Sequence, residues 1–323
     1  MVGKVGRRAL TAGAVLCVAT LLADTATAQK RDAPGVSDTE IKIGQTLPYS
    51  GPASAYGQLG RVEAACFASL NKRGGINGRK VALLSLDDGY SPPKAVEQVR
   101  RLVEQDGVAA IFGLLGTPIN MAIRRYLNDR HVPQLFVAAG SPNFADPEHF
   151  RWTIGWQPTL TAEATFYAAH LLATRPAARV GVLYQYEDFG KGLLDGLKAG
   201  LGDKAMSVLT AGILKDASDP QWADDADQKA WRAWMDENMP GADLSDGLNV
   251  AGTLFAQTLE QVLRQCGDDL TRENIMRQAA NLHDLRLPMS LPGSLINTSP
   301  TDYRVITQMR LQRFNGTGWD FVP

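Results

Sequence analysis

The fold is decided by the stretch VALLSLDDGYSPPKAVEQVRRLVEQDGVAAIFGLLGTP, residues 81–118. It opens with an apolar run over residues 81–86 and closes on a second over residues 108–112, and neither alternates cleanly with polar residues. Between the two runs, the aliphatic residues at helical spacing are Val96, Val99 and Leu102. Strands that are apolar throughout are buried on both faces, as in a parallel sheet. The stretch therefore predicts a strand–helix–strand unit of an α/β domain.

The same alternation extends on both sides of this stretch. Further apolar strands are predicted over residues 41–47 and 134–138. Residues 57–71 and 119–127 carry apolar stripes at helical spacing. Together these elements predict one doubly wound α/β lobe with a parallel sheet.

A second series of elements follows Pro158. A helix is predicted from there to about Thr174, and the elements predicted after it are a strand over 180–184, a helix over 191–201 and a strand over 206–210. The pattern indicates a second lobe of the same α/β class.

The regular alternation of strands and helices ends after residue 210. A helix is expected there, but an acidic stretch follows instead. Trp231, Trp234 and Met235 indicate a short helix, and a long one is predicted over residues 249–265. Thr271 is suited to cap a further helix. The last predicted feature is a hairpin, formed by residues 303–314 and Trp319 around the turn Asn315-Gly316.

Composition excludes several classes of protein. The chain has 323 residues, of which 45% are hydrophobic, and a net charge of -1, so a general nucleic-acid binder is not expected. The sequence contains no CxxC motif and no Cys/His cluster, so it gives no indication of a metal site. Cys66 and Cys266 either form a disulfide, as an exported protein allows, or are two buried thiols.

Residues 1–28 are typical of a secretory signal peptide. A basic head precedes an apolar run over residues 9–22, and small residues end at Ala28. The run is shorter than the ~20 residues of a membrane-spanning helix. We expect export to the periplasm with cleavage near Ala28; a buried core helix is the alternative.

The carboxyl ends of the predicted strands are rich in Gly, Ser, Thr and Pro, and ligands bind at such ends in open α/β sheets. Thr117 is suited to be an N-cap, with Pro118 as the first helical residue. Gly116 allows close approach of a ligand. Free amides, a hydroxyl and the helix dipole suit a carboxylate. A capped helix with nothing bound is the alternative.

Other strand ends offer further candidates, each with a structural alternative. Ser141 either supplies a second hydroxyl for a ligand or stabilises a turn before Pro142. Tyr56 and Phe189 lie beside glycines in predicted loops and form a ligand wall or pack in the core. Asp87-Asp88 forms either a metal or acid/base pair or a solvated pair that caps the next helix, and the second is favoured because neighbouring strand residues point apart.

Catalytic motifs are missing from the sequence. It contains no GxGxxG, GxxxxGK[ST], GxSxG or HExxH. No His pairs locally with a Cys or Asp in a nucleophile arrangement. We therefore predict a protein that is not an enzyme and that needs no cofactor or metal.

Longer motifs run through nearly all of residues 38–323. They are IKIGQTLPYSGP (41–52), NKRGGING (71–78), VLYQYEDFG (182–190), LTRENI (270–275) and INTSPTDY (296–303). Together they resemble the leucine/isoleucine/valine-binding protein family, the substrate-binding proteins of ABC importers with the type I periplasmic fold.

This resemblance implies a fold, a function and a site. Two doubly wound parallel-sheet lobes, joined by a hinge, would close on a small amino acid or a related carboxylate or amide and present it to an ABC permease in the inner membrane. The implied ligand-binding residues are Tyr56, Gly116, Thr117, Ala139, Gly140, Ser141 and Phe189. A periplasmic sensor or scaffold of the same fold is the alternative; an exported hydrolase would need a nucleophile that the motifs do not supply.

The resemblance also implies domain bounds and a departure. The first lobe would comprise 38–157 and 213–309, the second 158–212, and a C-terminal hairpin segment 310–323. Gly212 joins directly to Ile213, so the second lobe is shortened and lacks the stretch that normally accepts a ligand's ammonium group. We therefore expect weak or absent binding. Tyr90 and Leu115 replace the family's disulfide cysteines.

Overall fold

The computed structural model describes residues 33–176, 188–201, 210–314 and 318–321. The predicted signal peptide, residues 1–28, lies outside them. The elements of the first part are β1 (Glu40–Leu47), α1 (Gly57–Lys72), β2 (Lys80–Asp87), α2 (Pro92–Glu104), β3 (Ala110–Phe112), α3 (Thr117–Asp129), β4 (Gln134–Val137) and β5 (Thr153–Gly155). Those of the second are α4 (Leu160–Thr174), α5 (Asp188–Leu201), β6 (Thr210–Gly212), α6 (Ala226–Asn238), α7 (Gly247–Gln265), α8 (Arg272–Ala279), β7 (Arg310–Phe314) and β8 (Trp319–Phe321).

The first sheet is parallel throughout, as predicted from its apolar strands. Its order is β2-β1-β3-β4-β5, and every neighbouring pair of strands runs in the same direction. The predicted strands and helices of this lobe are confirmed to within a few residues. The edge strand β5 was not predicted, because its sequence Thr-Ile-Gly has one aliphatic residue and no apolar run like that of β3.

Helices cover both faces of this sheet, which makes it doubly wound. Phe112 of β3 packs in the core beneath α1 and α7, whereas its neighbour Ile111 packs with α2 and α3 on the other face. The long helix α7 lies close against α1: a Cβ at Gly252 would come within 2.9 Å of the Leu59 carbonyl oxygen. Burial on both faces explains why these strands are apolar throughout.

The helices α4 and α5 form a closely packed pair. A Cβ at Gly196 would stand 2.8 Å from the Cβ of Ala164, and one at Gly200 would stand 2.4 Å from the Cβ of Ala168. The glycines recur every four residues and so share one face of α5. This face allows the two helix backbones to approach closely.

The second sheet of the described residues is antiparallel, in the order β6-β7-β8. The predicted C-terminal hairpin is confirmed as β7 and β8, although its first strand begins at Arg310 and not at residue 303. Its Asn-Gly turn and the predicted strand over 180–184 lie outside the described residues. Of the predicted strand over 206–210, the structure describes Thr210, the first residue of β6.

Several local predictions are also tested by the structure. Thr271 caps α8, accepting a hydrogen bond from the Asn274 amide. Cys66 and Cys266 are both free thiols, which settles the alternative in favour of no disulfide. Within the described ranges, the structure contains no cluster of potential metal ligands and no helix that is long and apolar enough to cross a bilayer.

Candidate functional site

A cleft of about 500 Å³ opens at the carboxyl ends of the parallel strands. Its first wall contains Tyr56, beyond β1, together with Gly116 after β3 and Ala139 after β4. In the strand order β2-β1-β3-β4-β5 the direction of winding reverses between β1 and β3. Doubly wound sheets bind ligands in the crevice outside such a switch point. The cleft therefore lies where this sheet topology favours a ligand.

The opposite wall comes from the pair of helices α4 and α5. Leu160 and Glu163 of α4 and Phe189 of α5 line it. The base is formed where the chain passes between the two sides: Pro158 precedes α4, and Ile213 and Met309 flank β6 and β7.

The structure brings together most of the predicted site residues. Tyr56, Gly116, Ala139, Gly140 and Phe189 all line this cleft. Tyr56 and Phe189 are exposed, at 46% and 40% of their surface, so neither belongs to the core. Phe189 was predicted to lie in a loop but is the second residue of α5.

The two predicted hydroxyl residues lie beside the cleft and not among the residues that line it. Thr117 is 1% exposed and Ser141 is 2% exposed. The Ser141 hydroxyl accepts a hydrogen bond from the Asn143 amide at 3.4 Å, which is the turn alternative. The Thr117 hydroxyl is buried without a hydrogen-bond partner among the described residues. A ligand role for either hydroxyl stays a prediction.

Gly116 differs from the prediction in two ways. It is the N-cap residue of α3, with φ 93° and ψ 140°, so the helix begins at Thr117 and Thr117 is not its cap. Its amide donates to the Ala138 carbonyl at 3.1 Å, so the prediction of a free amide is wrong at this position. That hydrogen bond joins the ends of β3 and β4. Asn120 holds the same loop from within, donating to the Gly116 carbonyl at 2.8 Å.

Gly140 follows β4 and lies beside Pro158, where the chain leaves the first sheet after β5. Its carbonyl accepts a hydrogen bond from the Leu160 amide at 2.6 Å. A Cβ at this glycine would come within 2.8 Å of the Pro158 carbonyl oxygen. The start of α4 is therefore fixed directly to the end of β4.

Tyr90 is a site residue that the sequence analysis did not select. It lines the cleft beside Gly116 and has a φ of 60°, a left-handed conformation that is strained for a bulky side chain. Its amide donates to Asp88 Oδ1 at 2.8 Å. Strained residues of this kind cluster at binding sites, and an aromatic residue between Gly and Ser at a strand end was the available signal.

The interpretation of Asp87-Asp88 as a solvated helix cap is wrong. Asp88 is fully buried, and burial raises the pKa of its carboxyl. Asp87 accepts hydrogen bonds from the Ser50 amide and hydroxyl and from Lys94, at 3.0, 2.6 and 2.6 Å. These bonds, led by that from Lys94, lower the pKa of Asp87. Asp87 thereby holds the loop after β1 that carries Tyr56.

Glu163 is the second site residue that the sequence analysis missed. It reaches the cleft from the first turn of α4. Tyr167, one turn further on, donates its hydroxyl to Glu163 Oε1 at 2.6 Å. Burial raises the pKa of Glu163. An acidic residue in the first turn of a helix ordinarily indicates interaction with the helix dipole. The sequence therefore gave no reason to assign Glu163 to a ligand site.

This acidic side chain bears on one expectation, which stays a prediction. The shortened second lobe was expected to lack the stretch that normally accepts a ligand's ammonium group. Glu163 provides a carboxylate in the cleft itself.

Comparison with known proteins assigns the family. The model of the family described as "Periplasmic binding protein" matches residues 40–220, more than half of the chain. The chain belongs to the periplasmic binding protein family. The family is one of ligand-binding proteins and not of enzymes, and its periplasmic location implies that this binding protein is exported.

Curated relatives confirm the resemblance to leucine/isoleucine/valine-binding proteins. The "Leu/Ile/Val-binding protein homolog 3" of Brucella melitensis is 28% identical over 50% of this chain and 44% of its own length. The "Leu/Ile/Val-binding protein" of Escherichia coli K12 is 24% identical over 66% of this chain and 58% of its own length. This periplasmic binding protein spans about half the length of the curated relatives it matches.

Solved structures share the fold of this periplasmic binding protein more completely. A branched-chain amino acid ABC transporter protein from Thermus thermophilus, solved with bound valine, has a TM-score of 0.73 at 12% identity. The superposition covers 89% of this chain and 96% of the other. At this identity the likeness establishes the type I periplasmic fold.

Proposed function

We propose that this protein is the substrate-binding component of an ABC importer and binds a small amino acid, or a related carboxylate or amide, in the cleft. One observation carries the proposal: the cleft lies outside the switch point of the first sheet and is walled on its other side by α4 and α5. A ligand there would contact both sides of the molecule at once.

The first wall supplies the site for a carboxylate. Gly116 and Thr117 stand at the N-terminus of α3, where the helix dipole favours negative charge. Ala139, Gly140 and Ser141 follow the neighbouring strand. We assign the Thr117 and Ser141 hydroxyls to the same carboxylate.

The aromatic residues supply the contact across the cleft. Tyr56 and Phe189 are the large hydrophobic residues that stand out as exposed among the described residues, and they come from opposite walls. Closure about the connections at Pro158, Ile213 and Met309 would bury them against a ligand. Burial of apolar surface is worth about 25 cal/mol per Å², so the open form gains from closing on a ligand.

Domain bounds follow from the same proposal. We assign residues 38–157 and 213–309 to the first lobe, 158–212 to a shortened second lobe and 310–323 to the hairpin beside the hinge. The packing of α7 on α1 supports this assignment of the later helices. The earlier expectation of weak binding loses its main reason once Glu163 is placed in the cleft.

Export and a membrane partner complete the proposal. The basic head, apolar run and small residues of segment 1–28 support cleavage near Ala28. The open and closed forms would differ in shape, and an inner-membrane ABC permease could distinguish them.

A thermal-shift screen of the protein that starts at Gln29 tests this function. We expect amino acids, or related carboxylates and amides, to raise the melting temperature in a saturable way. The same screen on Ala53→Trp, which fills the cleft from its rim, serves as the control. An absence of any shift with the wild-type protein, or equal shifts with both proteins, would contradict the proposal.

A further inference from the structure

A second cavity, of about 240 Å³, lies among α1, α6 and α7. Among the described residues, it has no lining residue in common with the cleft. Cys66 lines it from α1, roughly 15 Å along the helix from Tyr56 of the cleft. We propose that this cavity is a second binding site, for a small neutral aromatic molecule that carries a hydrogen-bond donor. The site is independent of the function proposed for the cleft.

The first support is the size and the surface of the cavity. Phe67 and Trp231 of the lining are buried, at 2% and 5% exposure, and Trp234 is half-buried. An apolar protein cavity of about 150 Å³ is large enough to bind benzene, and aromatic rings gain from edge and stacking contacts with one another. The cavity therefore suits an aromatic ring. Further apolar lining residues are Ala256, Pro288 and Met289.

The second support is that the charged residues of the lining already have partners within the protein. These residues are Arg73, Asp227 and Glu260. An ionised ligand would have to displace one of their partners or remain unpaired, which is costly against apolar and aromatic side chains. The lining therefore favours a neutral molecule. The partners are the Ser69 hydroxyl for Arg73, Lys215 and Arg286 for Asp227, and Arg264 for Glu260.

The third support is a hydrogen-bond acceptor without a donor. Gln257 of α7 lines the cavity, and its side-chain oxygen is buried with no hydrogen-bond partner among the described residues. Buried acceptors in proteins are nearly always satisfied. The two indole N–H groups of the lining are already used, since Trp231 donates to Thr253 Oγ1 and Trp234 to Ser69 Oγ, both at 3.1 Å. A ligand with an O–H or N–H group would supply the missing donor.

Cys66 favours reversible binding over covalent chemistry. Burial raises the pKa of its thiol, so little of the nucleophilic thiolate is present near neutral pH. The thiol is therefore a surface that a bound ring contacts, and the ligand leaves the cavity unchanged.

Calorimetry with two matched series tests the site. Each series contains a donor, a compound of nearly the same shape without one, and a carboxylate: phenol, toluene and benzoate; indole, benzofuran and indole-3-carboxylate. The measurements are made on Ala53→Trp, in which the cleft is filled. We expect phenol or indole to bind saturably, about threefold or more tightly than toluene or benzofuran, since a hydrogen bond between neutral groups has roughly this effect. The carboxylates should bind more weakly still.

Two variants locate the binding. Gln257→Leu removes the acceptor, so the preference for the donor compound should fall to near one. Ala230→Trp, at an exposed position of the lining, fills the cavity from its mouth and should abolish the binding of phenol and indole.

The ratio of donor to isostere in Ala53→Trp tests the inference even if Ala230→Trp does not fold. Absence of binding in folded Ala53→Trp, equal affinity for donor and isostere, or binding that survives in folded Ala230→Trp would overturn it. None of these results depends on whether the cleft binds an amino acid, so the proposed function is judged separately by its own screen.

Discussion

The ring of Tyr90 lies directly against the backbone of Gly116. A Cβ at Gly116 would stand 2.6 Å from both Cε2 and Oη of that ring, which is far inside van der Waals contact. Tyr90 follows β2 and Gly116 follows β3, two strands that β1 separates in the sheet, and together they form part of the first wall of the cleft. Glycine at position 116 is therefore required both by its φ of 93° and by its neighbour.

Gly116→Ala should destabilise the fold and weaken binding. The strained backbone alone should cost about 1–3 kcal/mol, and the contact with Tyr90 adds to it. Gly74→Ala is the matched control, because Gly74 has a φ of 97° but open space around its Cβ position. Urea unfolding of both variants gives the difference. Adding Tyr90→Ala to Gly116→Ala should restore part of the stability that Gly116→Ala loses. Equal losses of stability in Gly116→Ala and Gly74→Ala would contradict the contact.

Stability should depend on pH through Glu63. This carboxyl is 1% exposed and accepts a hydrogen bond from Gln45 Nε2 at 2.5 Å. Burial raises the pKa of Glu63 from 4.5 to about 8. The folded protein thus keeps this proton at pH values where the unfolded chain has lost it. The contribution of Glu63 to stability is complete below about pH 4.5 and falls as the pH rises toward 8.

Glu63→Gln should remove this dependence, because it keeps the shape and cannot ionise. The stability of the variant relative to the wild type should rise with pH by up to about 1.4 kcal/mol per unit. Urea unfolding of both proteins from about pH 5 to pH 8 measures the slope. Parallel curves would show that Glu63 does not carry the dependence.

Gly200→Ala should destabilise the pair of helices α4 and α5. In an exposed helix this change adds about 1 kcal/mol of stability, so the sign of the effect is diagnostic. Here the new Cβ would lie 2.4 Å from that of Ala168. Gly247→Ala, at the start of α7 with open space around it, is the control and should not destabilise. Thermal unfolding compares them, and a gain in stability at position 200 would contradict the packing.

Phe189→Ala should weaken ligand binding more than it weakens the fold. The side chain is 40% exposed, so little core packing is lost. By contrast, Phe255 is buried and stacks on Trp156 with ring centroids 4.3 Å apart, and its replacement by Ala should cost about 3–5 kcal/mol of stability. Thermal unfolding and titration of both variants separate the effects. A large loss of stability in Phe189→Ala would place that residue in the core.

The sequence predicted the first lobe well because its strands are buried on both faces and its helices carry one apolar stripe each. It missed β5, whose burial depends on its position at the edge of the sheet. Within the site, it identified the glycines at strand ends, because glycine allows the tight turns and close approaches that occur there. It could not place the hydroxyls of Thr117 and Ser141, whose direction depends on the rotamer and on packing.

Glu163 and Asp88 illustrate a second limit of the sequence. Both are acidic residues at the start or end of an element, where a solvated or capping role is the ordinary interpretation. Their burial follows from contacts between distant segments: α4 against the end of β4, and β2 against the loop after β1. No local pattern reports such contacts.

The most direct test of the central claim is a calorimetric titration of the mature protein with the compound that raises its melting temperature most. We predict binding of one molecule per chain, and loss of that binding in Ala53→Trp, whose folded state should match the wild type. Binding that survives in folded Ala53→Trp would show that the cleft between the first sheet and α4–α5 is not the ligand site.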